Sequence, residues 1–251
     1  MDLGGRAAIV TGAAAGIGRA IALRLAAEGA AILAVDRDEA AAKVLIGEIH
    51  AGGGTASALA ADVSDGETAA GLGAVCNGRF GRLDVLVNNA GGVEGPTYPD
   101  NAPTRWRAVI ELNLMALMAA TQGVLPFMEE RGSGVIVNIS SAAALGARPH
   151  PAPEYAAAKA GVMRLTSALG SLASSRGIRV NCICPDWVDT PASRRTVAAM
   201  APEQRLAVPP EMLTSDQVAT AVQFLIENDE QVGAVLVWRC GDAVWRRLDE
   251  T

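Results

Sequence analysis

Tyr155 and Lys159 are the pair whose types and spacing most directly suggest chemistry. They lie four apart in residues 154–175, a run that predicts a helix, so both fall on one helical face. An ammonium beside a phenol favours the phenolate, and the pair therefore predicts a tyrosine pKa below its usual value of about 10. Such a phenol serves as a general acid and base closer to neutral pH. Ser141 ends the apolar run "GVIVNISS" and is placed to hydrogen-bond a substrate oxygen beside that phenol. Plainer readings stay open: a tyrosine and lysine at helical spacing often form a surface pair, and Ser140 or Ser141 can simply end a strand.

A second constellation suits a phosphate. "TGAAAGIG", Thr11 to Gly18, lies between an apolar run and a helix-like run. Its glycines, Gly12, Gly16 and Gly18, do not follow the G-x-G-x-x-G order of a dinucleotide turn. Their setting still fits. Gly12 permits a tight turn, while Gly16 and Gly18 let backbone approach a pyrophosphate and let a helix pack closely on a sheet. The helix N-terminus offers unpaired N–H groups to the anion. Asp36 ends the next apolar run, 18 residues after Gly18, where an acidic residue can hydrogen-bond a ribose 2′-hydroxyl. A carboxylate there repels a 2′-phosphate and favours NAD over NADP, although Arg37 beside it could hold that phosphate. The alternatives are a glycine turn that binds nothing and an Asp36 that only caps the following helix.

These residues must be positioned by elements. Apolar strand-like runs at residues 6–11, 30–36, 56–63, 82–92, 134–141, 178–185 and 233–238 alternate with helix-like runs at 16–29, 38–51, 65–79, 103–131, 154–175, 191–206 and 215–228. Pro126 predicts a kink in the longest helix. Alternating strands and helices with continuously apolar strands predict an α/β fold, a Rossmann-type doubly wound parallel sheet with helices on both faces. We expect a single domain over residues 1–251. Ligands bind such sheets outside the carboxyl ends of the strands. Thr11, Asp36, Asp62, Asn88, Ser141 and Pro185-Asp186 all fall there.

Composition narrows the function classes. The chain of 251 residues carries a formal charge of −6, half of it is hydrophobic, and it has no dense Lys/Arg cluster of the kind that binds nucleic acid. No uninterrupted apolar run of about 18 residues suggests a membrane span, and "MDLGGRAAIV" has no secretory-leader pattern. The four cysteines, Cys76, Cys182, Cys184 and Cys240, show neither a C-x-x-C pair nor metal-ligand spacing, so no metal is expected. Cys182 and Cys184 alternate on a strand and should share a face, as free buried thiols in a reducing cytoplasm.

With these residues in order, the chain resembles the short-chain dehydrogenase/reductase family from Arg6 to about Val237. "TGAAAGIG" resembles the family's T-G-x-x-x-G-x-G turn, Asp62-Val63 its adenine-contacting pair, and "NNAG" (Asn88 to Gly91) the motif after its fourth strand. Asn113 in "LNL" matches its active-site asparagine, Ser141 its serine, and Tyr155 with Lys159 its Y-x-x-x-K. The resemblance implies catalytic roles for Asn113, Ser141, Tyr155 and Lys159. It implies NAD contacts from Gly12, Ala15, Gly16, Ile17, Gly18, Asp36, Arg37, Asp62, Val63, Asn89, Ala90, Gly91, Tyr155, Lys159, Pro185, Asp186, Val188 and Thr190. On the same ground Lys159 reaches a ribose hydroxyl, Asn113 holds a water, Thr190 contacts the nicotinamide amide and residues 187–212 cover the substrate. Helices 103–131 and 154–175 would form a homodimer or homotetramer contact.

Three places depart from the family pattern. Ser141 to Tyr155 is one residue longer than usual, and the intervening "ARPHPAPE" predicts a bulged loop near the substrate. Pro185 is followed by Asp186 rather than glycine, which puts a carboxylate near the nicotinamide. The last strand runs into "VWRCGDAVWRRLDET", where Trp238, Trp245 and Arg246-Arg247 form either a subunit contact or an amphipathic tail. Val93, Glu94, Tyr98, His150, Trp187, Arg194, Arg195 and Met200 are candidates for the pocket wall, His150 as a wall rather than a catalyst. The resulting expectation is an NAD-dependent oxidoreductase acting on a secondary alcohol or ketone. The alternatives are an NADPH-dependent 3-oxoacyl-thioester (acyl-carrier-protein) reductase and a non-catalytic NAD-binding regulator.

Overall fold

The structure is a computed structural model that describes residues 1–146 and 150–250. Of the proline-rich stretch 147–154, residues 147–149 lie outside the described residues. In chain order the elements are β1 (Ala7–Thr11), α1 (Gly16–Ala27), β2 (Ala31–Asp36), α2 (Glu39–Ala51), β3 (Ala56–Ala60), α3 (Gly66–Phe80) and β4 (Val85–Asn88). They continue with α4 (Pro103–Ile110), a π-helical turn (Glu111–Met115), α5 (Ala116–Glu130), β5 (Gly134–Ile139), α6 (Pro153–Ala168), α7 (Leu172–Arg176) and β6 (Ile178–Pro185). The chain then forms β7 (Val188–Asp189), α8 (Pro191–Ala199), α9 (Pro202–Arg205), β8 (Leu213–Thr214), α10 (Ser215–Glu227), β9 (Val235–Trp238) and β10 (Arg246–Arg247).

Eight strands form one sheet in the order β10-β9-β6-β5-β4-β1-β2-β3. Every pairing in it is parallel except β10 on β9. β1, β4, β5 and β6 are buried at every position, as strands covered on both faces must be. Alternate residues supply the two faces: Val10, Ile32 and Val137 pack with α1, α2 and α10, while Ile9, Leu33 and Ile136 pack with α3 and α5. Cys182 and Cys184 do share a face, buried with Val162 and Met163 of α6.

Four elements differ from the sequence reading. The long helix continues through Pro126, and its irregularity is the π turn at Glu111–Met115. There the Asn113 side chain donates to the Val109 carbonyl at 2.9 Å, competing with the backbone ladder. The helix predicted over 154–175 breaks into a 3₁₀ turn at Leu169–Ser171, where Gly170 lies against Gly233, a Cβ on Gly170 standing in ordinary contact at 3.4 Å from the Gly233 Cα. β10 adds an antiparallel edge strand beyond "GAVLVW". Finally, β7 pairs with β8 in a separate ribbon, so the two ends of the segment expected to cover the substrate are tied together.

Pro103–Glu130 is long and apolar enough, by length and composition, to cross a membrane. In this fold its apolar composition serves the packing of α5 on the sheet and on α3. The α3–α5 contact is backbone-close: a Cβ on Gly123 would lie 2.0 Å from the Ala70 carbonyl oxygen. No rotamer relieves such a clash, because the obstacle is backbone. Gly123→Ala should therefore lower the unfolding free energy by about 2 kcal/mol, measured as a lower urea midpoint at unchanged m.

Candidate active site

The glycine turn is held from three sides. Gly12 and Gly16 take φ of +62° and +53°. A Cβ on Gly18 would stand 2.1 Å from the Gly12 carbonyl oxygen, so α1 packs onto the turn only because that position is bare. From the second side, the Thr11 hydroxyl accepts from the Asn89 and Ala90 backbone N–H groups, each at 3.0 Å. Asn89 Nδ2 donates to the carbonyls of Thr11 (2.9 Å) and Gly12 (3.1 Å), so this side chain braces the turn. From the third side, Asp36 accepts from Ala14 N–H at 2.9 Å and from Asp38 N–H at 3.0 Å. The cap of α2 is Asp38, which removes the capping alternative for Asp36.

The turn suits an anionic dinucleotide. Ala15, the N-cap of α1, makes no side-chain cap, so the first turn of the helix presents backbone N–H groups to the cradle. Ile17 packs against the core behind them. Asp62 accepts from the N–H (2.9 Å) and hydroxyl (2.8 Å) of Ser64. Those bonds first, and the charge of the exposed Arg37 second, hold its carboxyl below the usual carboxylate range. Val63 is buried beside it. Thr190 caps α8, and its Cγ2 would lie 3.1 Å from a Cβ on Gly16, so the loop after β6 reaches the glycine turn.

The second cluster lies where β4, β5 and α6 converge. Gly91 follows β4 at a point where a Cβ would stand 2.6 Å from Asn113 Oδ1 and 3.0 Å from Lys159 Nζ. A bare position there lets the two side chains meet. Asn113 accepts from Gly92 N–H at 2.9 Å and donates to the Gly92 carbonyl at 2.8 Å. Lys159 is 3% exposed, and its Nζ donates to the Ile139 carbonyl at 2.9 Å. Ser140 turns inward and donates to the Lys159 carbonyl at 2.8 Å, which leaves Ser141 as the serine facing the phenol. The Ser141 hydroxyl also accepts from Ala143 N–H at 3.2 Å.

Lys159 and Tyr155 do share a face, with Nζ 5.7 Å from the phenol centroid. The expected direction of the phenol's shift is corrected. Burial raises the Tyr155 pKa, and Ser141 opposes that rise by favouring the phenolate. Burial also pushes Lys159 down to about 8. The spacing argument supplied the ammonium but not the desolvation that both groups undergo. The His150 ring stands 6.1 Å from the Tyr155 ring, as a wall.

Other expected residues are placed differently. Pro185 ends β6, and Val188 is buried in β7. The Asp186 carboxylate turns to the Cys240 N–H at 3.4 Å, toward the segment after β9. Arg194 is paired with Asp189 at 2.6 Å, while Arg195 is exposed. Trp238 and Trp245 pack edge to face at 5.2 Å, and Trp245 lies 5.2 Å from Phe224 of α10, so the tryptophans build an internal cluster. The sequence reading missed a buried polar chain beneath the site. Asn88 Nδ2 donates to Asn138 Oδ1 and Asn138 Nδ2 to Thr166 Oγ1, each at 2.9 Å. The one signal for it was an asparagine inside the apolar run "GVIVNIS".

A sequence profile described as short chain dehydrogenase matches residues 6–201. The cis-4-hydroxycyclohexanecarboxylate dehydrogenase of Sinomonas cyclohexanicum is 40% identical over 243 residues, covering 92% of this chain and 94% of that protein. A solved structure of 7α-hydroxysteroid dehydrogenase with NADH and 7-oxo glycochenodeoxycholic acid matches with TM-score 0.87 and 32% identity, over 97% of this chain and 96% of that one. A variant of actinorhodin polyketide ketoreductase with NADPH matches with TM-score 0.82 and 33% identity, over 94% and 95%.

The burial of Lys159 makes a stability prediction. A lysine with pKa about 8 when folded, against 10.5 when free, binds fewer protons than the unfolded chain between those values, so its contribution to stability rises with pH. The buried thiols act in the opposite direction, and a variant comparison removes them. From pH 7.5 to 9.5, the urea-derived stability of wild type should gain about 2 kcal/mol relative to Lys159→Met.

Proposed function

The chain belongs to the short-chain dehydrogenase family, oxidoreductases of alcohol and ketone groups, and from that premise we propose an NAD-dependent dehydrogenase/reductase of secondary alcohols. The observation that carries this reading is the convergence of Ser141, Tyr155 and Lys159 beside the glycine turn. In it Tyr155 is the general acid and base: its hydroxyl gives a proton to a ketone oxygen or takes one from an alcohol. Ser141 hydrogen-bonds the same oxygen and favours the phenolate. Lys159 holds its charge under Tyr155, anchored on the Ile139 carbonyl. Asn113 is a positioning residue that acts through Gly92. Bound at the turn, a nicotinamide dinucleotide supplies the hydride acceptor or donor. Gly12, Ala15, Gly16, Ile17 and Gly18 would hold its pyrophosphate, and Asp62, Val63, Ala90, Gly91, Pro185, Asp186, Val188 and Thr190 would line its course. One domain carries both cofactor and substrate.

Asp36 supports NAD. Its carboxylate is fixed at the end of β2 by two backbone N–H groups, one from the turn itself. A 2′-phosphate there would meet a charge that cannot turn away. The NADPH-dependent thioester reductase remains the second reading, supported by the exposed Arg37 and by the ketoreductase with NADPH. The substrate we favour is a cyclic secondary alcohol, of the kind named for the cyclohexane and steroid relatives. Exposed Met115 in the π turn and Met118 in α5 support a homodimer or homotetramer, and the free buried thiols support a cytoplasmic enzyme.

Two experiments test this. Tyr155→Phe should lose at least about 10³-fold in kcat, the scale of general acid–base catalysis, with NADH affinity within about twofold of wild type. Retained turnover would sink the assigned mechanism. In fluorescence titrations the wild type should bind NADH at least about tenfold more tightly than NADPH, a difference of about 1.4 kcal/mol, and Asp36→Ser should reverse the order. Preference of wild type for NADPH would promote the thioester-reductase reading.

A further inference from the structure

Glu154 directly precedes Tyr155 in the first turn of α6 and is 7% exposed. A carboxylate that deep must find donors or cost heavily. Its Oε1 accepts from the Tyr98 backbone N–H at 3.0 Å and from Asn101 Nδ2 at 3.1 Å. Both donors belong to the segment between β4 and α4. The Thr97 hydroxyl adds a tie to the Pro151 carbonyl at 2.5 Å. The other end of the segment is fixed separately: Asn113 holds Gly92, and Arg105 holds the Glu94 carbonyl at 3.2 Å. The segment therefore starts against Lys159, at Gly91, and ends against Glu154. It runs alongside the helical turn that carries Tyr155.

The pairing of Glu154 is incomplete in an informative way. Its Oε2 and Asn101 Oδ1 are both buried with no hydrogen-bond partner among the described residues. A buried charged group with an orphan oxygen is a poor device for stability alone, since an apolar or amide side chain of similar size avoids the cost. What the carboxylate does provide is one oxygen that grips two points of the segment at once.

We propose that Glu154 is a positioning residue that clamps residues 93–101 against the start of α6 and thereby sets the size of alcohol that reaches Tyr155. This rests on Tyr155 being the acid and base. Val93 and Glu94 then form a wall of fixed distance, and Tyr98, 54% exposed, stands at its rim.

The test compares Glu154→Ala with Glu154→Gln in the full chain. Glu154→Gln keeps an acceptor and puts an N–H donor where the orphan oxygen stands. In Glu154→Ala, hydrogen exchange of the amides at 94–101 should quicken at least tenfold, and the KM for the preferred cyclic alcohol should rise at least tenfold. The kcat for 2-propanol should stay within threefold and NADH affinity within twofold. Glu154→Gln should restore both KM and exchange to within threefold of wild type. Unchanged exchange in Glu154→Ala overturns the clamp. Quickened exchange with unchanged KM and size preference overturns the selecting role. A wild type that turns over no secondary alcohol overturns the acid–base reading and the selecting role with it, and the exchange data alone then decide the clamp.

Discussion

Lys159 and the end of β5 are stitched together in both directions, and the site hangs on that stitch. The ammonium donates a hydrogen bond to the Ile139 carbonyl, while the hydroxyl of Ser140 donates one to the Lys159 carbonyl. A buried ammonium cannot leave its acceptor cheaply, because an unsatisfied buried donor costs about 1–3 kcal/mol and a charged one more. The acceptor lies two residues before Ser141, and Tyr155 stands one helical turn before the donor. Sliding α6 along β5 would therefore move the serine, the phenol and the charge out of step together. The beneficiary of the stitch is the relative position of three side chains drawn from two elements.

The same economy couples this cluster to the glycine turn. One short segment after β4 serves both. Asn89 and Ala90 grip Thr11 and Gly12, Gly91 leaves room for Lys159 and Asn113, and Gly92 receives both halves of the Asn113 amide. The π turn follows from that demand. Asn113 must face Gly92 while its backbone belongs to a helix, and the irregular turn with its bond to Val109 reconciles the two. The segment then passes α6 before α4 begins, which is why Glu154 can hold it.

Much of this was legible from residues alone. Strands buried on both faces read as continuous apolar runs, so β6 was bounded correctly, and the polar residues Thr11, Asp36, Asn88 and Ser141 lie at or just past the carboxyl ends of β1, β2, β4 and β5. What escaped depends on distance and burial. The pKa of Tyr155 moves up because desolvation outweighs the Ser141 hydrogen bond, and spacing carries no measure of desolvation. The Asn88–Asn138–Thr166 chain joins residues 50 and 28 positions apart, which no local pattern reports. Pro126 read as a kink, yet the helical ladder changes at Asn113, whose side chain bonds the Val109 carbonyl. Glu154 reads as a plain first-turn acid, in keeping with the helix dipole, until the Tyr98 and Asn101 donors arrive.

The β7–β8 ribbon has a bearing on how such a protein diversifies. Val188 pairs with Leu213 and Asp189 with Thr214, so the chain leaves and rejoins the body at one closed gate. Everything threaded between these pairs, α8 and α9 included, is an excursion whose ends are already joined. Lengthening it costs little, because closure entropy grows only with the logarithm of loop length. Insertions, deletions and wholesale grafts there would leave β6 and α10 undisturbed. The ribbon thus separates the sheet and its packed helices from an excursion that can change in length without changing where it is anchored.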